Sequence, residues 1–243
     1  MRGAVTAVVA SLVVLAGCSS EEPPSVVPEF GDAKALGAAI DALAAKERTV
    51  HMTVPGKPGY ESIVSKGSVR MDQPDTALEM VVPNGQETWK VLTLGEHLYL
   101  SRPQATPSGK QWQEIGPDSK DKSDQAIAGV TGGFGSLDPR RVAADLGAGV
   151  LVEAKPDQDA TRYRVRISTD KLTSAFGLSE TVLLRLPQSS FPVDAWVGPG
   201  GRLLRFEAHL DEAAGKTFRT SYSDWGQSVE IDAPKPEEIE PKR

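Results

Sequence analysis

The pattern that most constrains this chain is the alternation of apolar and polar side chains, which has the period of a half-buried β-strand. The first such run, residues 50–54, reads VHMTV. Turn signals such as Asn84-Gly85 separate several of the runs, and turns this short cannot carry a parallel crossover. The sequence therefore predicts consecutive antiparallel strands, with further runs at 69–71, 76–82, 87–94, 97–100, 150–153, 161–168, 193–197, 203–210, 216–223 and 229–231, and a short strand around Trp112.

Two segments have helical spacing instead. Asp32 is a predicted N-cap for an amphipathic helix that continues to about Lys46, with an apolar face made mostly of alanine. Asp138-Pro139 combines an N-cap with proline at the first helical position, and Gly147 is the predicted C-cap. A short helix is predicted to end at Gly177, whereas the apolar run at 181–186 fits either a helix or a strand. Together these elements predict an α+β fold.

The run at 161–168 assigns its two faces clearly. Tyr163 and its alternate neighbours are apolar, whereas Arg162, Arg164 and Arg166 share the opposite face. We expect the arginine row to be a solvated outer face. The alternative is that the row contacts anionic lipid headgroups.

The amino terminus predicts export. Arg2 precedes the uncharged apolar stretch 4–16, which is too short for a membrane-spanning helix of about 20 residues. Leu15-Ala16-Gly17-Cys18 then resembles the lipobox of bacterial lipoproteins, in which the cysteine thiol receives a diacylglycerol and the signal is cut before it. The resemblance implies a lipid anchor on Cys18 at the extracytoplasmic face of the cell membrane. The alternatives are an ordinary signal peptide with a chance cysteine, or a buried free thiol.

Composition sets the remaining domain boundaries. We predict a signal peptide at 1–17, a lipidated cysteine with a flexible proline-rich tether at 18–30, one folded domain at 31–234 and a disordered acidic tail at 235–243. Cys18 is the only cysteine, so an intrachain disulfide is excluded. The formal net charge of −6 argues against nucleic acid as a partner.

Catalytic and metal-binding patterns are weak. His51, His97 and His209 each lie in a predicted strand, away from any nucleophile motif. Gly135-Ser136 lacks the following glycine of a nucleophile elbow, and the glycine cluster 129–135 lacks the Gly-Lys-Ser/Thr end of a phosphate-binding loop. We therefore expect no enzyme activity, no metal and no cofactor, and an enzyme that uses one of these histidines is the least favoured alternative.

The last third carries a family resemblance. The segments that carry it are Ala195-Trp196-Val197, Leu203-Leu204-Arg205, Ser223-Asp224-Trp225-Gly226 and Val229-Glu230-Ile231. With the lipobox, the single early helix and the strand meander before them, they resemble the LppX/LprG-type lipoproteins of actinobacteria. The resemblance implies a strongly curved antiparallel half-barrel with helices on its concave face. It also implies a cavity for acyl chains, a role in carrying or presenting lipid or lipoglycan in the cell envelope, and an envelope transporter as a partner. The charged segment 102–124 departs from the family pattern.

A sheet with one apolar face must cover that face, and helices of alanine and glycine fill volume poorly. Sheet side chains either close the remaining gap, which gives a filled core suited to a protein-interaction or sensor module, or leave a pocket for aliphatic chains. For the second case the predicted lining residues are Leu78, Met80, Leu92, Leu98, Leu100, Val165, Ile167, Leu204, Phe206 and Phe218.

Overall fold

The computed structural model describes residues 30–55, 64–72, 76–104, 106, 108–116, 119, 137–169, 189–211 and 216–240. The predicted signal peptide, Cys18, the glycine cluster 129–135 and the runs at 170–177 and 181–186 lie outside these ranges. Neither described helix is long and apolar enough to cross a bilayer.

The described chain is a mixed α+β fold built on one open, curved sheet of 12 strands with two helices. The helices are α1 (Ala33–Glu47) and α2 (Pro139–Ala148). The strands are β1 (Thr49–Pro55), β2 (Val64–Arg70), β3 (Ala77–Asn84), β4 (Glu87–Leu94), β5 (His97–Ser101), β6 (Trp112–Ile115), β7 (Val150–Asp157), β8 (Ala160–Ser168), β9 (Ser190–Gly198), β10 (Arg202–Asp211), β11 (Lys216–Ser223) and β12 (Ile239–Glu240).

Two meanders meet in the middle of the sheet. The strand order is β12-β6-β5-β4-β3-β2-β1-β11-β10-β9-β8-β7, so β1 pairs with β11 although the two are distant in sequence. The predicted antiparallel pairing of sequential strands is confirmed within each meander. The pair β12–β6 is parallel, which the sequence did not predict.

Local signals place the helices and turns where the sequence predicted them. The Asp32 carboxylate accepts a hydrogen bond from Ala35 N at 2.7 Å, and Asp138 accepts one from Arg140 N at 2.8 Å. Gly85 has φ 65°, as the two-residue hairpin between β3 and β4 requires. The predicted end of α2 was wrong, because the helix continues past Gly147 to Ala148 and Gly149 is its C-cap.

The sheet has an inner face, which shares one apolar core with both helices, and an outer face. On β8 the alternation places Tyr163, Val165 and Ile167 inside, fully buried, and the arginine row outside, as predicted. Leu36 and Ile40 of α1 and Val142 and Leu146 of α2 belong to the same core.

The carboxyl-terminal segment differs from the prediction. Residues 229–231 form no strand, and residues 236–240, predicted to be disordered, form a 3-10 turn and β12. Ile231 explains the difference, because it is only 1% exposed in a second, outer cluster. The segment crosses the outer face of the sheet, and the outer cluster is made of Ala77, Leu92, Tyr99, Trp112 and Ile231. The acidic residues at 235–243 led to the prediction of disorder and gave no sign that the segment would pack on the sheet.

Candidate functional site

The inner face is the candidate site, and the predicted lining residues divide into three groups there. One group is at most 1% exposed within the inner core, and Leu98 and Phe218 are only partly buried against that core. The third group, Leu92 and Leu204, is not part of the inner core. The fully enclosed group consists of Leu78, Met80, Leu100, Val165, Ile167 and Phe206.

Leu92 does not lie on the inner face. Its register partners are Glu79 and Tyr99, and it belongs to the outer cluster. Val91 takes the inner position, opposite Met80 and Leu100. The sequence could not decide between them because Val91 and Leu92 are adjacent and both apolar.

Leu204 is displaced by a β-bulge. The β9–β10 register shifts between Leu203 and Arg205, so Leu204 has no partner in that ladder. It is half-buried, and a Cβ added at Gly198 would come within 3.2 Å of its Cδ1 atom. An inserted residue of this kind reverses the alternation locally, which the periodicity did not reveal.

The inner core becomes partly exposed at one end of the sheet, where β3 and β10 end and β4 and β11 begin. Val82 and Trp89 are register partners at this end, and Leu210 and Phe218 stand at the same end of β10 and β11. All four are partly buried apolar residues packed on the inner core. We call Val82, Trp89, Leu210 and Phe218 the apolar rim.

Polar side chains surround one part of the apolar rim. The Arg102 guanidinium lies 5.1 Å from the centre of the Trp89 ring, and Trp89 Nε1 donates to the Glu87 carboxylate at 3.2 Å. Gln104 donates to the same carboxylate at 3.3 Å. The rim therefore offers apolar surface next to a guanidinium, a carboxylate and an amide, a combination suited to an amphipathic molecule.

Thr220 adds a polar atom to the inner face. It points inward between Phe218 and Tyr222 on β11, opposite Phe206, and it is 0% exposed. Its hydroxyl finds no hydrogen-bond partner in the described part of the chain. Leaving a buried hydroxyl unpaired costs about 1–3 kcal/mol. The alternation of β11 already places Thr220 inward, but the sequence could not show that it lacks a partner.

The small residues of the helices bring backbones together rather than leaving space between them. A Cβ added at Gly37 of α1 would stand 2.4 Å from the carbonyl oxygen of Ala143 on α2. A Cβ at Gly149 would stand 2.4 Å from Val165 Cγ1 on β8. The two helices therefore lie in close contact, and α2 ends directly against the sheet.

Buried hydrogen bonds fix the start of α2. Tyr222 of β11 donates to the carbonyl of Leu137 at 2.8 Å. Asp138 is 2% exposed and accepts hydrogen bonds from Thr76 and Arg140. Burial, with a smaller contribution from the nearby Asp138 charge, raises the pKa of Tyr222 well above its usual value. Tyr222 therefore keeps its proton and donates a hydrogen bond that holds the start of α2 against the sheet.

The outer face carries ion pairs. Arg164 Nε and Nη2 donate to the two carboxylate oxygens of Asp194 at 2.8 and 2.7 Å, and His209 Nε2 lies 3.0 Å from Asp194. Burial alone would raise the pKa of Asp194, but these hydrogen bonds and positive charges outweigh it and keep that pKa below its usual value. Arg162 pairs with Glu153 at 2.8 Å.

Two histidines lie closer to hydroxyl groups than the sequence indicated. His51 Nδ1 is 3.0 Å from Ser68 Oγ on β2, and His209 Nδ1 is 3.4 Å from Thr217 Oγ1 on β11. Neighbouring strands create both contacts, so linear motifs could not reveal them. At His209 the Asp194 carboxylate is already held by Arg164 in a two-point ion pair. His97 pairs with Glu114 at 2.8 Å on the surface.

No group of three or more His, Cys, Asp or Glu side chains in the described ranges is placed to hold a metal ion. In comparisons with known proteins, no protein-family model matches the chain and no curated protein sequence matches it.

Proposed function

We propose that this protein is a membrane-anchored lipoprotein that binds acylated lipid or lipoglycan and carries or presents it in the cell envelope. In this proposal the curved sheet is a half-barrel with α1 and α2 on its concave face. Acyl chains lie between the helices and the inner face of the sheet. The diacylglyceryl group on Cys18 keeps the protein at the extracytoplasmic side of the membrane, and no catalysis is involved.

The observation that carries the proposal is the apolar rim. Four of the partly buried large apolar side chains that pack on the inner core lie at the same end of the sheet. Apolar side chains that are left partly open to solvent at the border of a core can contribute to a ligand or interaction site. The rim is where an acyl chain would enter, with its headgroup near Trp89 and Arg102.

Thr220 supports the same proposal. Its enclosed hydroxyl lies on the inner face beside Phe218 of the rim, and it has no partner among the described residues. An ester carbonyl of an acylated lipid accepts one hydrogen bond and would relieve the cost of leaving that hydroxyl unpaired. An acyl chain with its ester group therefore suits this surface better than a plain hydrocarbon does.

A second candidate is an anchored protein-interaction or sensor module with a filled core. The enclosed side chains Met80, Val165, Ile167 and Phe206, each 0% exposed, favour it, because protein atoms surround them. Under the carrier proposal these side chains and the helices must separate when lipid enters. Under the second proposal the core stays closed and the rim contacts a partner protein.

Lipid extraction from protein purified out of its native host distinguishes the two. We expect mass spectrometry of the extract to show acylated lipid in stoichiometric amount. Leu210→Asp places a charge on the rim and should remove the bound lipid. The matched control is Leu94→Asp, which alters a partly buried leucine of the outer cluster and should leave the lipid in place.

Circular dichroism would establish that both variants are folded. Folded wild-type protein without extractable lipid, or equal lipid content in both variants, would contradict the carrier proposal and favour the filled-core module.

A further inference from the structure

An amphipathic patch lies at the edge of the sheet on the outer face. Val150 and Val152 of β7 are 68% and 56% exposed, and they are the large apolar side chains most exposed to solvent in the described chain. Arg166 of β8 is the register partner of Val150. We call Val150, Val152 and Arg166 the edge patch.

The local fold presents all three side chains on one side. Arg166 belongs to the arginine row of the outer face, so its partner Val150 points to the same side. The β7–β8 register shifts between Leu151 and Glu153, and Val152 is the inserted residue of that bulge. The bulge follows the inward Leu151, so Val152 also faces outward, and β7 is the last strand of the sheet.

Ion pairing distinguishes Arg166 from Arg162 and Arg164. Arg162 pairs with Glu153 at 2.8 Å and Arg164 pairs with Asp194 at 2.7 Å. The described residues provide Arg166 with neither an ion pair nor a side-chain hydrogen bond, and it lies in the terminal pair of the β7–β8 ladder. The edge patch therefore combines two exposed valines with one cation that is free to bind an anion.

Phe30, the described residue that precedes α1, lies near the edge strands, on the inner face of the sheet. Phe30 N donates to the Tyr163 hydroxyl at 3.2 Å, and the two rings lie 5.7 Å apart. Tyr163 is the register partner of Ala154 on β7. Residues 19–29 separate Phe30 from Cys18, and a chain of that length spans at most about 40 Å. An anchor at Cys18 would therefore hold β7 and β8 near the membrane surface.

We propose that the edge patch rests on an anionic bilayer surface, where Val150 and Val152 enter the interfacial layer and Arg166 binds a lipid phosphate. This inference rests on the anchoring in the proposed function. Anionic phosphate complements the free guanidinium, and the lipid interface accepts valine side chains that water does not favour. The contact fixes the orientation of the anchored domain instead of letting it move freely on its tether.

Spin labelling of the acylated full chain in phosphatidylglycerol-containing vesicles tests the inference. Acylation blocks Cys18, so Val152→Cys supplies a unique thiol for a nitroxide. We expect the label to be several-fold less accessible to a water-soluble nickel chelate than a label on Glu96→Cys, an exposed turn residue between β4 and β5. Arg166→Gln should decrease the ratio of docked to undocked protein about fivefold. Arg202→Gln, another exposed arginine without an ion pair among the described residues, should leave the ratio unchanged.

Each contrary outcome has a separate meaning. If the chain floats with vesicles but position 152 is as accessible as position 96, the edge patch is not a membrane contact although the anchor is present. Spin–spin broadening at position 152 would show that β7 pairs with a second copy instead. If Cys18 carries no lipid and the chain does not float, the anchoring is wrong and this inference falls with it.

Discussion

Gly37 and Gly147 face each other across the contact between α1 and α2, yet the structure predicts opposite effects when each is replaced by alanine. A Cβ at position 37 would meet backbone atoms only, with the Ala143 oxygen at 2.4 Å and the Gly147 Cα at 2.9 Å. A Cβ at position 147 would meet nothing closer than 3.8 Å. Backbone atoms cannot rotate away, so Gly37→Ala must separate the helices by roughly 1 Å, whereas Gly147→Ala fits without any movement.

The magnitudes follow from two opposing contributions. Overpacking typically costs about 1–3 kcal/mol, and a gap of that size also weakens the neighbouring dispersion contacts. Alanine in place of glycine returns about 1 kcal/mol through helix propensity. We expect Gly37→Ala to lower the free energy of unfolding by about 2 kcal/mol and Gly147→Ala to raise it by about 0.5–1 kcal/mol. For a domain of this size the corresponding shifts in Tm are about −4 to −8 °C and +1 to +4 °C.

Thermal unfolding followed by circular dichroism measures both variants against the wild type. Both carry the same chemical change in facing helices, so differences in propensity largely cancel and the packing remains. Equal Tm values for the two variants, or a Gly37→Ala protein as stable as the wild type, would refute the close helix contact.

Three further predictions concern polar groups and the carboxyl-terminal segment. Thr220→Val removes the unpaired hydroxyl without changing the volume much, so chemical denaturation should show a stability gain of about 1–2 kcal/mol; a loss would mean that the hydroxyl has a partner. Asp194→Asn should cost about 1–3 kcal/mol at pH 7, because it weakens the charge-assisted hydrogen bonds from the Arg164 guanidinium, which is 34% exposed. The pKa of Asp194 is lower in the folded than in the unfolded state, so this stabilisation is complete above the unfolded pKa of about 4 and is lost as the pH falls through the folded value. Urea titrations should show that the difference in unfolding free energy between wild type and Asp194→Asn is smaller at pH 3 than at pH 7. An equal difference at both pH values would contradict the ion pair. Ile231→Ser should release residues 229–240 from the outer face, seen as faster amide hydrogen exchange in β12, whereas the exposed neighbour substitution Glu230→Ser should not; unchanged protection after Ile231→Ser would show that another contact holds the segment.

The predictions that succeeded are those that depend on short-range chemistry. The Asp32 and Asp138 caps act within one helical turn, and the Asn84-Gly85 hairpin is fixed by the φ of a single glycine. The alternation on β8 similarly placed the arginine row outside because neighbouring side chains on a strand must face opposite ways.

The predictions that failed concern features determined by contacts between residues far apart in the sequence. Leu92 and Val91 are equally apolar, and the register with β3 and β5 decided which of them is buried inside. The end of the chain was predicted to be disordered from its acidity and prolines. Ile231 and Ile239 find apolar partners only after the fold has formed the outer cluster.

The sequence by itself determined most of the strands, both helix starts, the polarity of the β8 faces and the presence of a lipobox-like motif, because each depends on residues close together in the chain. Only the tertiary structure decided that β1 pairs with β11 and that Gly37 meets Ala143. It also decided that, among the described residues, Thr220 has no hydrogen-bond partner and Arg166 has no ion pair beside the exposed valines. These features depend on register and on contacts between segments far apart in sequence, where many arrangements satisfy the same apolar pattern and packing selects one of them.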